Sequence, residues 1–131
     1  HNVETVPHLY RRVRPDADYQ QSMALLARAA DWRDANAPGL STKSGIMLGL
    51  GETPDQVLAL MHDWREARVD IITLGQYLPP SPLHLPLHRY VEPAEFDSYR
   101  QRGLEMGFKR VESAPLVRSS YHARESAAFP H

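Results

Sequence analysis

The chain has 131 residues, and its 15 Lys and Arg stand against 16 Asp and Glu, so the formal net charge is −1. This balance gives no electrostatic reason to expect nucleic acid or an anionic membrane as a partner, and no apolar run approaches the roughly 20 residues of a membrane-spanning helix. Cysteine is absent, so this chain alone forms no disulfide and no thiolate metal site, and we expect a cytoplasmic origin. His1 is neither an initiating Met nor the start of a signal peptide, so we expect the chain to begin inside a longer one.

The first predicted elements are a helix and a buried strand. Residues 16–18, Asp-Ala-Asp, can cap a helix through a side-chain oxygen, and Pro38-Gly39 ends it. One apolar stripe at helical spacing lies between them: Tyr19, Met23, Leu26 and Ala30. The apolar run at residues 45–51 then predicts a strand that is buried on both faces.

Two further helix and strand pairs follow. Thr53-Pro54 predicts a helix start, and the apolar stripe behind it consists of Val57, Leu60, Met61 and Trp64. The β-branched run at residues 69–74 predicts a second strand, and a proline-rich loop follows it. Pro93 opens a third helix that carries Phe96, Tyr99, Arg100 and Leu104 and ends at Gly107. Residues 108–113 are the last predicted strand.

The alternation of helices and strands predicts an α/β fold. Strands in this order are parallel and are joined by right-handed crossovers. A parallel sheet needs cover on both faces, and this chain supplies only about three strands. We therefore expect part of a (β/α) barrel, in which further strands complete the closure.

The glycine-rich turn after the first strand, with Gly49, Gly51 and Glu52, is a candidate ligand site. Glycine at the carboxyl end of a barrel strand lets a ligand approach the backbone, and the following helix start offers free amides. The alternative is a tight turn that needs glycine for its backbone geometry. The pattern alone favours that alternative, since no dinucleotide-binding fingerprint is completed.

Three other groups of residues have the chemistry of a site. Residues 117–122 carry Arg118, two serines and a tyrosine, but a turn with locally bonded serines is the favoured interpretation. At the amino terminus, His1, Asn2 and Glu4 either line a barrel mouth or begin a helix at Pro7, and the two interpretations are even. His84 and His88 are four apart, but Pro86 between them makes a zinc-binding helix improbable, so we expect both on a loop surface.

Taken together, the sequence resembles lipoyl synthase, a radical S-adenosylmethionine (SAM) family. The similar stretches, in the family's order, are residues 1–7, 12–15, 17–19, 42–45, 48–53, 75–78, 80–81, 84–86, 89–91, 103–108 and 115–123. The most specific is the last, with its Arg-Ser-Ser-Tyr at residues 118–121. The glycine turn is shared with other radical SAM enzymes.

The resemblance implies a fold, an activity and cofactors. Residues 1–122 would be the C-terminal part of a partial (β/α)6 TIM-like barrel of radical SAM type, and residues 123–131 a flexible tail. The family inserts two sulfur atoms into a protein-bound octanoyl chain: one [4Fe-4S] cluster cleaves SAM to a 5′-deoxyadenosyl radical, and an auxiliary [4Fe-4S] cluster donates sulfur. The family's cysteine triplets are missing here, so we expect them upstream and expect this piece alone to be inactive.

The resemblance also implies site residues and partners. Ser120 corresponds to the family's serine ligand of the auxiliary cluster, a hard oxygen ligand among soft thiolates. Gly49, Gly51 and Glu52 would lie nearest SAM, with Asn2 and Lys43 as further polar contacts, and no general acid or base is assigned. The implied partners are octanoylated lipoyl-carrier domains, namely E2 subunits and the glycine cleavage H protein. The alternatives are another radical SAM sulfur-inserting or methylating enzyme, or a non-catalytic half-barrel scaffold.

Overall fold

The computed structural model describes residues 1–118, so the predictions for Ser120 and for the tail at residues 123–131 lie outside the described residues. A single 3-10 turn, Pro7–Leu9, leads into the first helix. The helices are α1 (Tyr10–Val13), α2 (Tyr19–Asn36), α3 (Pro54–Glu66) and α4 (Pro93–Met106). The strands are β1 (Lys43–Leu48), β2 (Ile71–Gln76) and β3 (Arg110–Ser113). No helix among residues 1–118 combines the length and apolar content that crossing a membrane requires.

The strands form one parallel sheet in the order β1-β2-β3, which confirms the predicted α/β alternation. Gly45 pairs with Thr73, and Thr73 pairs with Glu112. The amino-terminal segment runs alongside β1, because Glu4 forms a parallel bridge with Ile46. Across the described residues the sheet is not closed into a barrel, so the expected closure depends on strands that this sheet does not contain.

Local chemistry fixes the helix ends. The Asp18 carboxylate accepts hydrogen bonds from the amides of Gln20 and Gln21, at 2.8 and 3.4 Å. Thr53 and Gln56 form a reciprocal capping box at the start of α3, with distances of 3.2 and 3.0 Å. Gly107 ends α4 with a φ of 102°, a left-handed conformation that favours glycine. These three ends were all predicted from the sequence.

The hydrophobic core lies between the helices and one face of the sheet. That face alternates along each strand and contributes Ile46, Leu48, Ile72, Leu74 and Val111, all buried. The four stripe residues of α3 are fully buried against it, as predicted. In α4 Phe96 and Tyr99 are buried, whereas Leu104 is 53% exposed. Gly103 occupies the inward position instead, because a Cβ there would lie 2.7 Å from Val111 Cγ2.

Polar groups fasten the amino ends of the strands. Arg33, near the end of α2, is buried and pairs with the Asp70 carboxylate just before β2. The same carboxylate accepts the Thr42 amide at 2.8 Å, and Arg33 also donates to the Arg68 carbonyl at 3.3 Å. These bonds tie α2 to the entries of β1 and β2. Residues at this edge of a βα structure serve stability, which directs the search for a ligand site to the opposite edge.

Candidate functional site

The carboxyl edge of the sheet collects three loops. The glycine turn follows β1, the proline-rich loop at residues 77–92 follows β2, and residues 114–118, here called the strap, follow β3. In open parallel α/β sheets ligands bind at this edge, because the loops there meet around a crevice. The candidate site is therefore built from these loops and from the amino-terminal segment beside β1.

The glycine turn is closed by its own glutamate. Glu52 is only 5% exposed, and its carboxylate accepts the amide of Gly49 at 3.0 and 3.1 Å and the amide of Leu50 at 3.1 Å. Hydrogen bonds to an ionised acceptor are stronger than neutral ones. The carboxylate thus holds the turn in place, because both of its oxygens accept backbone amides of the turn.

The two glycines of the turn differ in what surrounds them. Gly49 has a φ of +99° and Gly51 a φ of +119°, conformations that residues with a side chain rarely adopt. A Cβ on Gly49 would lie 2.4 Å from Nε2 of Gln76 and 2.6 Å from the carbonyl oxygen of Arg89. A Cβ on Gly51 would meet only His88, at 4.0 Å. Both glycines serve the backbone geometry, as the sequence pattern favours, and Gly49 also makes room for the neighbouring loop.

The Gln76 side chain joins the glycine turn to the proline-rich loop. Gln76 ends β2 and is 4% exposed. Its Nε2 donates to the carbonyls of Tyr77 and Arg89, at 2.9 and 3.1 Å, and its Oε1 accepts the Val91 amide at 2.8 Å. One buried amide therefore satisfies three backbone groups and fixes both ends of the loop. Sequence reasoning missed this role, since a single Gln at a strand end has no local pattern.

An ion pair fixes the exit of the proline-rich loop onto α4. Arg89 donates to both Glu95 carboxylate oxygens, at 3.1 and 2.8 Å, and the Tyr99 hydroxyl donates to the same carboxylate at 2.6 Å. The Arg89 hydrogen bond, aided by Tyr99, holds the pKa of Glu95 below its usual value despite partial burial. Burial, together with the Glu95 carboxylate, raises the pKa of Tyr99. Arg89 and Tyr99 therefore stabilise the ionised form of the Glu95 carboxylate.

A cavity of about 260 Å³ lies among these loops. Its apolar lining comes from Val13, Met47, Leu50, Tyr77, Leu78 and Pro80, and its charged lining from Glu4 and Arg118. A mainly apolar cavity with a few convergent polar groups is the usual form of a small-molecule site. Two larger grooves, of about 490 and 360 Å³, run along α2 and include no residue of the loops at the carboxyl ends of the strands. We place the candidate site in the smaller cavity because it lies at the carboxyl edge.

The sheet face opposite the helices is polar, and the cavity lies at its carboxyl end. This polar face carries Lys43, Thr73, Arg110 and Glu112, and the last two form an ion pair at 3.0 Å. A small space next to the cavity is lined by Asn2, Gly45, Thr73 and Gly75, and it shares Glu4 and Met47 with the cavity. Glycine is required at position 45, since a Cβ would lie 2.1 Å from Thr73 Oγ1.

Lys43 begins β1, so it lies at the amino end of the strand rather than at the mouth where we expected it. Its Nζ is buried and has no hydrogen-bond partner among residues 1–118. A strand rises about 3.3 Å per residue, which places the backbone of Lys43 about 16 Å from the end of β1. Lys43 lines neither the cavity nor the adjoining small space.

Glu4 was left undecided by the sequence, and the structure places it in the site. It contributes to the lining of both the cavity and the adjoining small space. Its φ of 78° is a left-handed conformation that costs a residue with a side chain free energy, and such strain is concentrated at functional sites. Two side chains hold the amino-terminal segment in place. The Tyr10 hydroxyl donates to the Val3 carbonyl at 2.5 Å, and Arg14 donates to the Asn2 carbonyl at 3.4 Å. Arg14 therefore has a structural role.

The strap crosses the polar face. The Ala114 amide donates to the Leu74 carbonyl at 3.2 Å, and the Gln76 amide donates to the Pro115 carbonyl at 3.2 Å. The Val117 carbonyl oxygen then lies above Gly75, 2.0 Å from where a Cβ would be. The strap ends at Arg118 in the cavity wall, and the predicted ligand Ser120 follows two positions later, outside the described residues.

The structure brings only some of the predicted site residues together. The carboxyl-edge cavity of about 260 Å³ is lined by none of the predicted cofactor contacts, namely Asn2, Lys43, Gly49, Gly51 and Glu52. Asn2 lines the adjoining small space, and Leu50 of the glycine turn lines the cavity itself. The residues that sequence reasoning missed include Met47 and Tyr77, which are apolar and carry no motif of their own. His84 and His88 are exposed on the proline-rich loop, and His84 bonds Ser81 at 2.8 Å. Within residues 1–118 no three His, Asp or Glu side chains are grouped as a metal site.

Fold and site together define an α/β protein whose candidate ligand site lies at the carboxyl edge of a parallel sheet. No protein-family model matches the chain. Among known proteins it is 58% identical over 129 residues to lipoyl synthase of Methylococcus capsulatus, a match that covers 98% of this chain and 39% of the relative. Lipoyl synthase of Chlorobium limicola is 54% identical over 132 residues, covering 100% and 43%, and that of Pelobacter propionicus is 58% identical over 123 residues, covering 94% and 38%.

The chain is therefore homologous to lipoyl synthases, which are radical SAM enzymes, over nearly its whole length. It spans about two fifths of the length of the curated relatives it matches, between 38 and 43% of the three named above.

Proposed function

We propose that this chain is part of a lipoyl synthase that inserts two sulfur atoms into a protein-bound octanoyl chain. The observation that carries the proposal is the identity of 52–58% to several lipoyl synthases over almost all of the chain. In the complete enzyme the three parallel strands would continue into a partial (β/α)6 barrel, in which the polar face would be the interior. A polar face with Lys43, Thr73, Arg110 and Glu112 on a parallel sheet fits a barrel interior better than a second helical layer.

We propose that the carboxyl-edge cavity contributes to the SAM site. Its apolar lining, with Leu50 and Tyr77, suits a flat heterocycle, and the Glu4 carboxylate is an acceptor for hydroxyl or ammonium groups. When bound beside a reduced cluster, the cofactor would supply a radical that removes hydrogen atoms from unactivated carbons. The residues of this chain would orient the cofactor and exclude water, which such chemistry needs more than proton transfer. Glu52, Gly49 and Gly51 would act by holding the turn that carries Leu50.

The described residues do not fit an iron–sulfur cluster by themselves, since the chain contains no cysteine and Ser120 lies outside them. We propose that the thiolates of both clusters come from elsewhere in the full-length enzyme and that Ser120 adds one oxygen ligand to the auxiliary cluster. The strap supports this assignment, because it ends in the cavity wall two positions before Ser120. The partners would be octanoylated lipoyl-carrier domains, and the reducing conditions that such clusters need favour the cytoplasm.

Sulfur transfer tests the proposal in the full-length enzyme that contains this stretch. After anaerobic reconstitution with iron and sulfide, we expect it to convert an octanoyl-lysine peptide into the lipoyl product when SAM and a reductant are added, as read by mass spectrometry. Ser120→Ala should still cleave SAM but make no lipoyl product, whereas Ser41→Ala, on the loop before β1, should behave like the wild type. Undiminished product from Ser120→Ala would reject the ligand role. SAM cleavage without sulfur transfer by the wild type would favour another radical SAM reaction, and no SAM binding at all would leave the scaffold alternative.

A further inference from the structure

The strap and β2 are in unusually close contact at Gly75. A Cβ on this residue would lie 2.0 Å from the Val117 carbonyl oxygen and 3.1 Å from the Val117 carbonyl carbon. Both atoms belong to the backbone, so they cannot move away by a side-chain rotation. Any residue other than glycine at position 75 would therefore displace the strap or bend β2.

The strap also holds itself in this position. The Val117 amide donates to the Ala114 carbonyl at 3.1 Å, which closes a turn. The Arg118 guanidinium donates from a single nitrogen, Nη1, to the carbonyls of Pro115 and Val117, at 3.2 and 2.8 Å. Arg118 thus bonds two carbonyls of the turn and also contributes to the cavity wall. The place of the guanidinium depends on where the strap crosses the sheet.

We propose that Gly75 is a positioning residue that seats the strap and thereby places Arg118 in the wall of the carboxyl-edge cavity. The part of the inference that concerns SAM rests on the proposed function, but the seating of the strap does not. Ile71, Thr73 and Gly75 alternate on the polar face of β2, and only Gly75 has no side chain. The strap crosses the face at Gly75, because only there can its backbone approach the strand closely. No local sequence signal reveals this contact, because Gly75 and Val117 are far apart along the chain.

The test uses the full-length enzyme and compares Gly75→Ala with Gly45→Ala. Both changes add one methyl group to the polar face against a close neighbour, 2.0 Å from Val117 O or 2.1 Å from Thr73 Oγ1, but only the first touches the strap. We expect Gly75→Ala to speed amide hydrogen exchange in residues 114–118 by about tenfold or more, while Gly45→Ala leaves exchange there at the wild-type rate. Affinity for S-adenosylhomocysteine, measured by calorimetry, should fall about tenfold in Gly75→Ala.

Wild-type exchange rates of the strap in Gly75→Ala would overturn the inference. Should the wild type not bind S-adenosylhomocysteine while Gly75→Ala still loosens the strap, the seating role stands and the SAM assignment fails, so the two failures are distinguishable. Arg118→Gln provides a second variant, which keeps the glycine at position 75 and removes the guanidinium that bonds the carbonyls of Pro115 and Val117. It should also speed exchange in the strap, and unchanged exchange in this variant would contradict the inference even if Gly75→Ala does not fold.

Discussion

The Glu52 carboxylate accepts the amide hydrogen of Gly49 with both of its oxygens, at 3.0 and 3.1 Å, across a turn of four residues. The carboxylate bonds the protein backbone, and Leu50, one of the two residues between Gly49 and Glu52, lines the cavity. The turn is therefore a preformed wall of the site, and its rigidity comes from a buried charge that is satisfied by backbone donors.

Glu52→Gln should destabilise the protein. The amide retains one acceptor but places an NH2 group against backbone donors, so a buried hydrogen bond is lost at a cost of about 1–3 kcal/mol. Urea unfolding of the cluster-free full-length enzyme measures the change, and Glu66→Gln, at the exposed end of α3, is the matched control. Unchanged stability of Glu52→Gln together with lost SAM binding would instead make Glu52 a direct ligand.

Gly49→Ala should be more harmful than Gly51→Ala. Both require an alanine at positive φ, +99° and +119°, which costs about 1–3 kcal/mol. Only Gly49→Ala also drives a methyl group into Gln76 and the Arg89 carbonyl, and such overpacking adds about 1–3 kcal/mol. The urea midpoints of the two variants measure the difference. Equal losses would show that the proline-rich loop yields freely and that the close packing at Gly49 has no energetic weight.

The Arg89–Glu95 pair predicts a defined pH dependence. The pKa of Glu95 is lowered in the folded protein, so its carboxylate stabilises the fold above the ordinary value of about 4.3, and this contribution is lost as the pH falls through the folded-state pKa. Glu95→Gln should therefore lower stability by about 1–2 kcal/mol near neutral pH, and the difference from the wild type should narrow between about pH 5 and pH 3. Chemical denaturation across this range measures it. Glu92→Gln, exposed at the helix start, is the matched control and should have a stability near that of the wild type at neutral pH.

The isolated 131-residue chain should self-associate. Its three-stranded sheet has an order of β1-β2-β3, so β3 is at an edge of the described sheet and offers unpaired backbone groups to another chain. The charged residues of the polar face would also lose the surroundings that a barrel interior provides. Sedimentation velocity at several concentrations would detect the association, and a monomer that melts cooperatively would show that these residues fold independently.

Local chemistry in the sequence was sufficient for the three long helices and the order of the strands, but not for the strand bounds. The predicted strands at residues 45–51 and 69–74 are observed as Lys43–Leu48 and Ile71–Gln76. Asp18 and Thr53 were recognised as caps because each offers a side-chain oxygen to the free amides that directly follow it. The stripe of α3 was recognised because helical periodicity places its members on one face. In α4, periodicity alone did not show that Gly103, rather than Leu104, packs against Val111.

The site was only partly predictable, since its contacts join residues that are distant in the sequence. Gln76 has no motif, yet it bonds Arg89 and Val91 from the opposite end of the proline-rich loop. The pattern around Gly49 indicated either a ligand or a tight turn, and only the neighbouring loop shows that the space above this glycine is filled. The resemblance implied that Lys43 contacts SAM, but β1 separates the backbone of Lys43 from the glycine turn along the sheet.

The sequence by itself determined the order of helices and strands, the helix ends and the resemblance to lipoyl synthase, because each depends on neighbouring residues or on short motifs read along the chain. Only the tertiary structure decided that Glu52 bonds its own turn, that Glu4 lines the cavity and that the strap crosses β2 at Gly75. The physical reason is that these features arise where separate loops meet at one edge of a sheet. A distance between two such loops is set by packing, which no local pattern encodes.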